Sequence, residues 1–203
     1  MTNRRVWLFR ILIVIATASL VAAWFMPWWS ASIKDIPAYK YPISIYPYGL
    51  DAHLMWEYLT IMPEGGAEAE MPAFFTPVMW LYFGLVVAAL LIAAWLVNKD
   101  RNISLFRRKF NLSKFLMIVV GLSYMVVCGL AVIVASMRLG DIGINLVGYT
   151  FVNLGHYAVW TLETSVDAYL RFGYWLACGV GPFLIILALL RNRIVGRSTS
   201  VSQ

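Results

Sequence analysis

Long uninterrupted apolar runs alternate along the chain with shorter mixed connections. Four stretches, residues 11–29, 71–98, 115–137 and 172–190, contain no Asp, Glu, Lys, Arg or His. A bilayer core of about 30 Å needs roughly 20 apolar residues at 1.5 Å each, so each stretch can cross a membrane as a helix. The strands of a membrane barrel alternate apolar and polar residues over about ten positions; these runs are continuously apolar, and a barrel is excluded. The pattern predicts an all-α membrane protein. It is read as one integral domain over 1–203, a bundle of four transmembrane helices at about 7–29, 72–97, 115–137 and 172–190. Outer segments 30–71 and 138–171 remain to form a small mixed α/β extracytoplasmic lid.

In the outer segments the period changes. Tyr39, Tyr41, Ile43 and Ile45 alternate with Lys40, Pro42, Ser44 and Tyr46, which reads as an edge strand because Pro42 cannot donate to a ladder. Tyr46-Pro47-Tyr48-Gly49 then turns the chain. Leu50, Leu54, Tyr58 and Leu59 suit a short helix, ended by Pro63-Glu64-Gly65-Gly66. Further on, Ile142, Ile144 and Leu146 alternate with Gly143, Asn145 and Val147 as a second strand, and residues 156–170 read as a second outer helix.

Charge orients this layout. Arg4, Arg5 and Arg10 precede the first run; Lys99, Arg101, Arg107, Arg108, Lys109 and Lys114 join the second to the third; Arg191, Arg193 and Arg197 follow the fourth. These twelve cations face a single acid, Asp100, whereas the other side carries Lys34, Lys40, Arg138 and Arg171 against nine acids. The Lys/Arg bias predicts a multi-pass plasma-membrane protein with both termini cytoplasmic. The net charge of +6 is therefore a topological feature. It calls for no nucleic-acid partner, although the basic loop suits anionic lipid headgroups. A composition 62% hydrophobic and 13% charged excludes a soluble enzyme and a disordered tail, and two cysteines exclude a disulfide-rich secreted module. The competing reading of the first run as a cleaved signal peptide is set aside, because the run is long and Trp28 and Trp29 stand where a cleavage site needs small residues.

Aromatic residues fall at the predicted interfaces: Trp24, Trp28, Trp29, Trp80, Tyr82, Tyr174 and Trp175 outside, Trp7 and Trp95 inside. Anchoring is their expected role. Gly173, Ala177 and Gly181 recur every four residues in the fourth run, next to Gly179 and Pro182, and predict a close helix contact. Gly84 with Ala88, Ala131 with Ala135 and Ser19 with Ala23 are weaker versions. Cys128 and Cys178 read as small buried hydrophobes. Thr17, Ser19, Ser123 and Ser136 can bond a carbonyl of their own or a neighbouring helix.

Four helices, a long first outer segment with tryptophan at its start, a short inner loop and a shorter second outer segment resemble the claudin-type tetraspan layout. That family follows its Trp motif with a cysteine pair. Here no cysteine follows Trp28-Trp29 in the segment, so the resemblance implies a layout and carries over no residue role. Asn102-Ile103-Ser104 and Asn111-Leu112-Ser113 match glycosylation acceptors, but on the predicted cytoplasmic side.

The four runs hold no ionisable group, which argues against a proton pump, an acid-lined channel or a carrier with a charged midplane site. The only histidines, His53 and His156, lie outside them and exclude bis-histidine haem within the bundle. No phosphate loop, nucleophile elbow or His-Glu-x-x-His helix occurs. One constellation remains. On helical spacing, His53 and Glu57 lie one turn apart and His156 and Glu163 two turns apart, a donor set suited to zinc or copper, set against the plainer reading of polar groups on a solvated face. The leading expectation is a non-catalytic accessory or structural subunit, in contact with lipid and with other membrane subunits and needing no cofactor. The alternatives are a metal-binding subunit of a membrane oxidoreductase and a small-molecule or lipid transporter with an uncharged cavity near Gly179, Gly181 and Pro182.

Overall fold

The computed structural model of the chain describes residues 2–33, 43–51, 72–97, 102–105, 108–141, 144–153 and 163–195. Among them are four long helices, α1 (Thr2–Phe25), α2 (Phe75–Leu96), α3 (Leu112–Asp141) and α4 (Phe172–Ile194). All four are long and apolar enough to cross a membrane. The strands are β1 (Trp29–Ile33), β2 (Ile43–Tyr46), β3 (Gly49–Asp51), β4 (Asn102–Leu105), β5 (Arg108–Asn111), β6 (Gly148–Asn153) and β7 (Glu163–Leu170). Two compact units result, one of Met1–Ala22, Leu81–Val127 and Leu176–Gln203, the other of Ala23–Trp80 and Cys128–Trp175.

In the first unit, three helices converge on the C-terminal end of the fourth. The last four carbonyls of a helix have no partner within it. At the end of α2, Ser113 Oγ from α3 donates to the Ala93 carbonyl at 2.9 Å, and Arg10 from α1 donates to the Ala94 and Trp95 carbonyls at 3.1 and 3.4 Å. Arg191 from α4 donates to the Val97 carbonyl just beyond, at 3.1 Å. Two guanidinium groups also oppose the negative end of the helix dipole. Arg191 is only 4% exposed. Ser113 itself sits at the start of α3, where its amide is capped by Asn111 Oδ1 at 3.2 Å. Asn111 closes a β4–β5 hairpin in which it pairs with Asn102, so both glycosylation-like asparagines lie in this hairpin.

Glycine brings α3 and α4 together in the same unit. A Cβ on Gly121 would lie 2.8 Å from the Gly181 carbonyl oxygen, and one on Gly181 would lie 2.9 Å from that of Gly121. No side chain fits between the two backbones, as close helix packing in lipid requires. Gly179 and Gly84 face open space instead. The expected hydroxyl bonds form at Thr17, which donates to Ile13 O at 2.9 Å, and at Ser123, which donates to Val120 O at 3.0 Å. Ser123 Oγ also lies 3.2 Å from the Tyr82 hydroxyl.

The second unit is built on a five-stranded antiparallel sheet of order β3-β2-β1-β7-β6. Pro27 explains its start. The helix predicted to reach residue 29 stops at Phe25, since proline cannot continue the ladder, and the chain re-emerges as β1. Trp28 then ties three pieces together: its amide donates to Ile45 O, its carbonyl accepts from the Arg171 amide, both at 2.8 Å, and its indole donates to Ala23 O at 2.9 Å. Gly173 fits against this bend, with only 2.7 Å between its virtual Cβ and the Pro27 carbonyl oxygen. Trp24, Trp28 and Trp29, expected as interfacial anchors, are instead buried in the protein. Trp24 packs against Tyr48 and edge-on against Trp80, and Trp28 edge-on against Tyr174. Trp175, Trp7 and Trp95 remain exposed.

Two expectations for the outer segments are corrected. From Glu163 onward the predicted outer helix is a strand, because Val166, Ala168 and Leu170 supply one apolar face at period two and seal the core with Trp29 and Ala31. Of the strand predicted over 142–147, residues 142–143 lie outside the described residues and 144–147 are not a strand, which runs instead over Gly148–Asn153: Ile144 closes the end of α3 through a 2.8 Å bond from its amide to Leu139 O, and Gly148, at φ +103°, turns the backbone into β6. Of the predicted strand over 39–46, the described part, Ile43–Tyr46, is β2, and residues 47–48 make the predicted turn. The predicted helix over 50–59 lies outside the described residues apart from Leu50 and Asp51, which belong to β3.

Arg191→Met removes a charged donor from a buried carbonyl and should lower stability by about 2–3 kcal/mol, while the exposed Arg193→Met should change it by less than about 0.5 kcal/mol. Thermal and denaturant unfolding of the detergent-solubilised protein would read the difference. Equal losses in the two variants would remove the special role of the α2 terminus.

Candidate functional site

The sheet has two faces of opposite character. Trp29 and Ala31 of β1, Ile45 of β2 and Val166, Ala168 and Leu170 of β7 share one face, covered by Leu139, Ile144 and Leu146. Register explains the match, since Trp29 pairs with both Ile45 and Leu170, and Ala31 with Ala168. The Trp29 indole N–H donates to Leu146 O at 2.6 Å and fixes the irregular segment that leads into β6.

On the opposite face runs a polar row. Ser44 and Ser30 are direct partners, their hydroxyls 3.0 Å apart, and Ser30 pairs in turn with Tyr169. Ser30 is fully buried, which makes this hydroxyl pair a structural bond. The Tyr169 hydroxyl accepts from Arg171 Nη1 at 3.1 Å, and the guanidinium carbon lies 5.2 Å from the ring centroid.

At the edge of the sheet, β6 presents a different surface. Tyr149 pairs with Asp167 and Phe151 with Ser165, so both aromatic residues belong to the polar face. They are 73% and 82% exposed, with Val147 at 59% just before them. Among the described residues, the outer edge of β6 pairs with no strand. An exposed edge strand with large apolar side chains is a template for protein contact.

Of the four candidate metal ligands, His53, Glu57 and His156 lie outside the described residues, and Glu163 is placed by its backbone at the start of β7, opposite Asn153. Sheet topology points the relevant chain ends in one direction but leaves them apart along the strands, since Asp51 is level with Ser44, Ser30 and Tyr169, six residues from Glu163. β3 ends at Asp51, two residues before His53, and the β6–β7 connection carries His156; both run toward the end of the sheet remote from Phe25 and Phe172. The β3 and β7 columns are three strand spacings apart, roughly 14 Å. Among the described residues no group of three or more His, Cys, Asp or Glu is gathered.

The uncharged cavity considered near Gly179, Gly181 and Pro182 meets packed chain at Gly181, which abuts Gly121 and Met125. A shallow groove of about 300 Å³ lies elsewhere, lined by Arg4, Val6, Trp7 and Arg10 of α1. Sequence reasoning counted Arg10 and Arg191 only as orientation signals and missed their bonds to α2. It also missed the β6 edge, for which the period-two pair Tyr149 and Phe151 was the available signal.

Compared with protein-family models, curated proteins and solved structures, the chain matches none. The tetraspan resemblance thus rests on layout alone.

Trp29→Phe keeps the ring in the core but deletes the donor to Leu146. It should cost about 1–3 kcal/mol, the usual loss when a buried acceptor is left unmet. Proteolysis near residues 144–153 should quicken in parallel; an unchanged digestion rate would show that this bond does not hold β6.

Proposed function

We propose that the protein is a non-catalytic accessory subunit of a larger membrane complex. Its four helices cross the plasma membrane with both termini cytoplasmic, and the sheet forms an outer lid that meets partner subunits. The observation that carries this reading is the β6 edge. Exposed leucines, valines and isoleucines along the helices are accounted for by lipid, whereas Val147, Tyr149 and Phe151 stand outside the spanning helices, in or just before the edge strand β6. Aromatic residues in such a setting are typical anchors of protein interfaces. The small-residue pair Gly84 and Ala88, exposed one turn apart on α2, gives a second surface on which a partner helix fits.

A metal-binding role for His53, Glu57, His156 and Glu163 is the second reading. It draws on the direction of β3, which runs toward the end of the sheet at which β7 begins although Asp51 stands level with Tyr169, and it would make the protein a metal-carrying subunit of a membrane oxidoreductase.

Isolation from the native membrane in mild detergent should retain partner subunits at fixed stoichiometry. The pair Tyr149→Lys and Phe151→Lys should release them without changing the melting temperature of the isolated chain. A wild-type chain that runs alone, or a double variant that keeps its partners, would contradict the proposal. For the second reading, metal analysis should find about one equivalent of zinc or copper that is lost in His53→Ala and in His156→Ala. Metal-free wild-type protein would dismiss it.

A further inference from the structure

We propose that the groove on the N-terminal turns of α1 is a headgroup site for an anionic glycerophospholipid. Its lining is Arg4, Val6, Trp7 and Arg10. Arg4, Trp7 and Arg10 follow one another at three-residue spacing, so each lies beside the next around the helix and about 4.5 Å further along it. The tryptophan is thus flanked by the two guanidinium groups. Arg10 is held in place by its bonds to the Ala94 and Trp95 carbonyls, which use two of the five N–H donors of a guanidinium. The remaining donors and the full positive charge are left for another acceptor. Arg4 is exposed, Trp7 is 64% exposed and Val6 forms an apolar wall at 8%.

The chemistry of this lining selects its occupant. Two guanidinium groups, with no carboxylate lining the groove among the described residues, match the paired oxygens of a phosphodiester. An indole and a valine beside them match the glycerol and first methylenes of a lipid, a contact that free phosphate cannot make. Position agrees as well: the groove lies where the apolar span of α1 begins, at Arg4. Anionic lipids are concentrated in the cytoplasmic leaflet, the side on which the proposed orientation puts this end. The inference rests on the membrane placement proposed above but not on any partner subunit.

The full-length protein in non-ionic detergent provides the test, through thermal melting and native mass spectrometry with phosphatidylglycerol, phosphatidylcholine of the same acyl chains, or inorganic phosphate. Phosphatidylglycerol should raise the midpoint by about 3–6 °C at a tenfold excess over its dissociation constant, and should be retained as a discrete bound lipid. Phosphatidylcholine and inorganic phosphate should not. Arg4→Gln, alone and with Trp7→Leu, should lose at least half of that shift, whereas Arg193→Gln, an exposed cation outside the groove, should keep it. The single Arg4→Gln variant alters an exposed residue, and its lipid-free melting temperature certifies its fold. Equal shifts with the two lipids, a shift reproduced by inorganic phosphate, or Arg4→Gln behaving like Arg193→Gln would each overturn the proposal. None of these results depends on whether partner subunits co-purify.

Discussion

The last four carbonyls of a helix have no partner within it, and the packing of the first unit follows from how the end of α2 meets that demand. Ala93 and Val97 are buried in the protein, and each of the other helices supplies a donor to this end: Arg10, Ser113 and Arg191. Apolar side chains gain little by leaving lipid for one another, which makes these polar bonds and the backbone approach of Gly121 to Gly181 the specific contacts of the first unit. Two of the cations whose positions predict an orientation, Arg10 and Arg191, also complete a helix end. The predicted orientation and the packing therefore draw on the same residues.

The second unit meets the same requirement with strands. Trp28 donates and accepts through its backbone to Ile45 and Arg171, linking the bend after α1 to both β2 and the start of α4. Around it the tryptophans are drawn inward as core. β1, β2 and β7 are each paired on both sides, which leaves β3 and β6 as the edges of the sheet among the described residues. The aromatic side chains of β6, Tyr149 and Phe151, are 73% and 82% exposed. That edge supports the proposed role in assembly, and Arg4 and Arg10 of α1 support the proposed lipid site.

The spanning helices were legible because uncharged runs of twenty residues have few other solutions in a chain this apolar. Their ends were less so. Pro27 stops α1 four residues early, while α3 continues to Asp141, past Arg138, where the uncharged run ends. The misreading of 163–170 has a physical cause: a segment of eight residues can place its apolar groups on one side of either a helix or a strand, and only pairing with β1 decides between them. The β6 edge was hidden for the same reason, since exposure of Tyr149 and Phe151 depends on which strand is last in the sheet. The His and Glu constellation was legible as donor types alone. Spacing along the sequence does not bring separate segments together, and three of those four residues lie outside the described part of the fold.

Single-cysteine accessibility in intact cells tests the central claim most directly. With Cys128 and Cys178 replaced by alanine, Phe151→Cys and Arg193→Cys would each be treated with a membrane-impermeant maleimide before and after permeabilisation. The account predicts that Phe151→Cys is labelled in intact cells, and that Arg193→Cys is labelled only once the membrane is opened. Labelling of Arg193→Cys in intact cells, with Phe151→Cys protected, would contradict the orientation and with it the placement of the sheet as an outer surface.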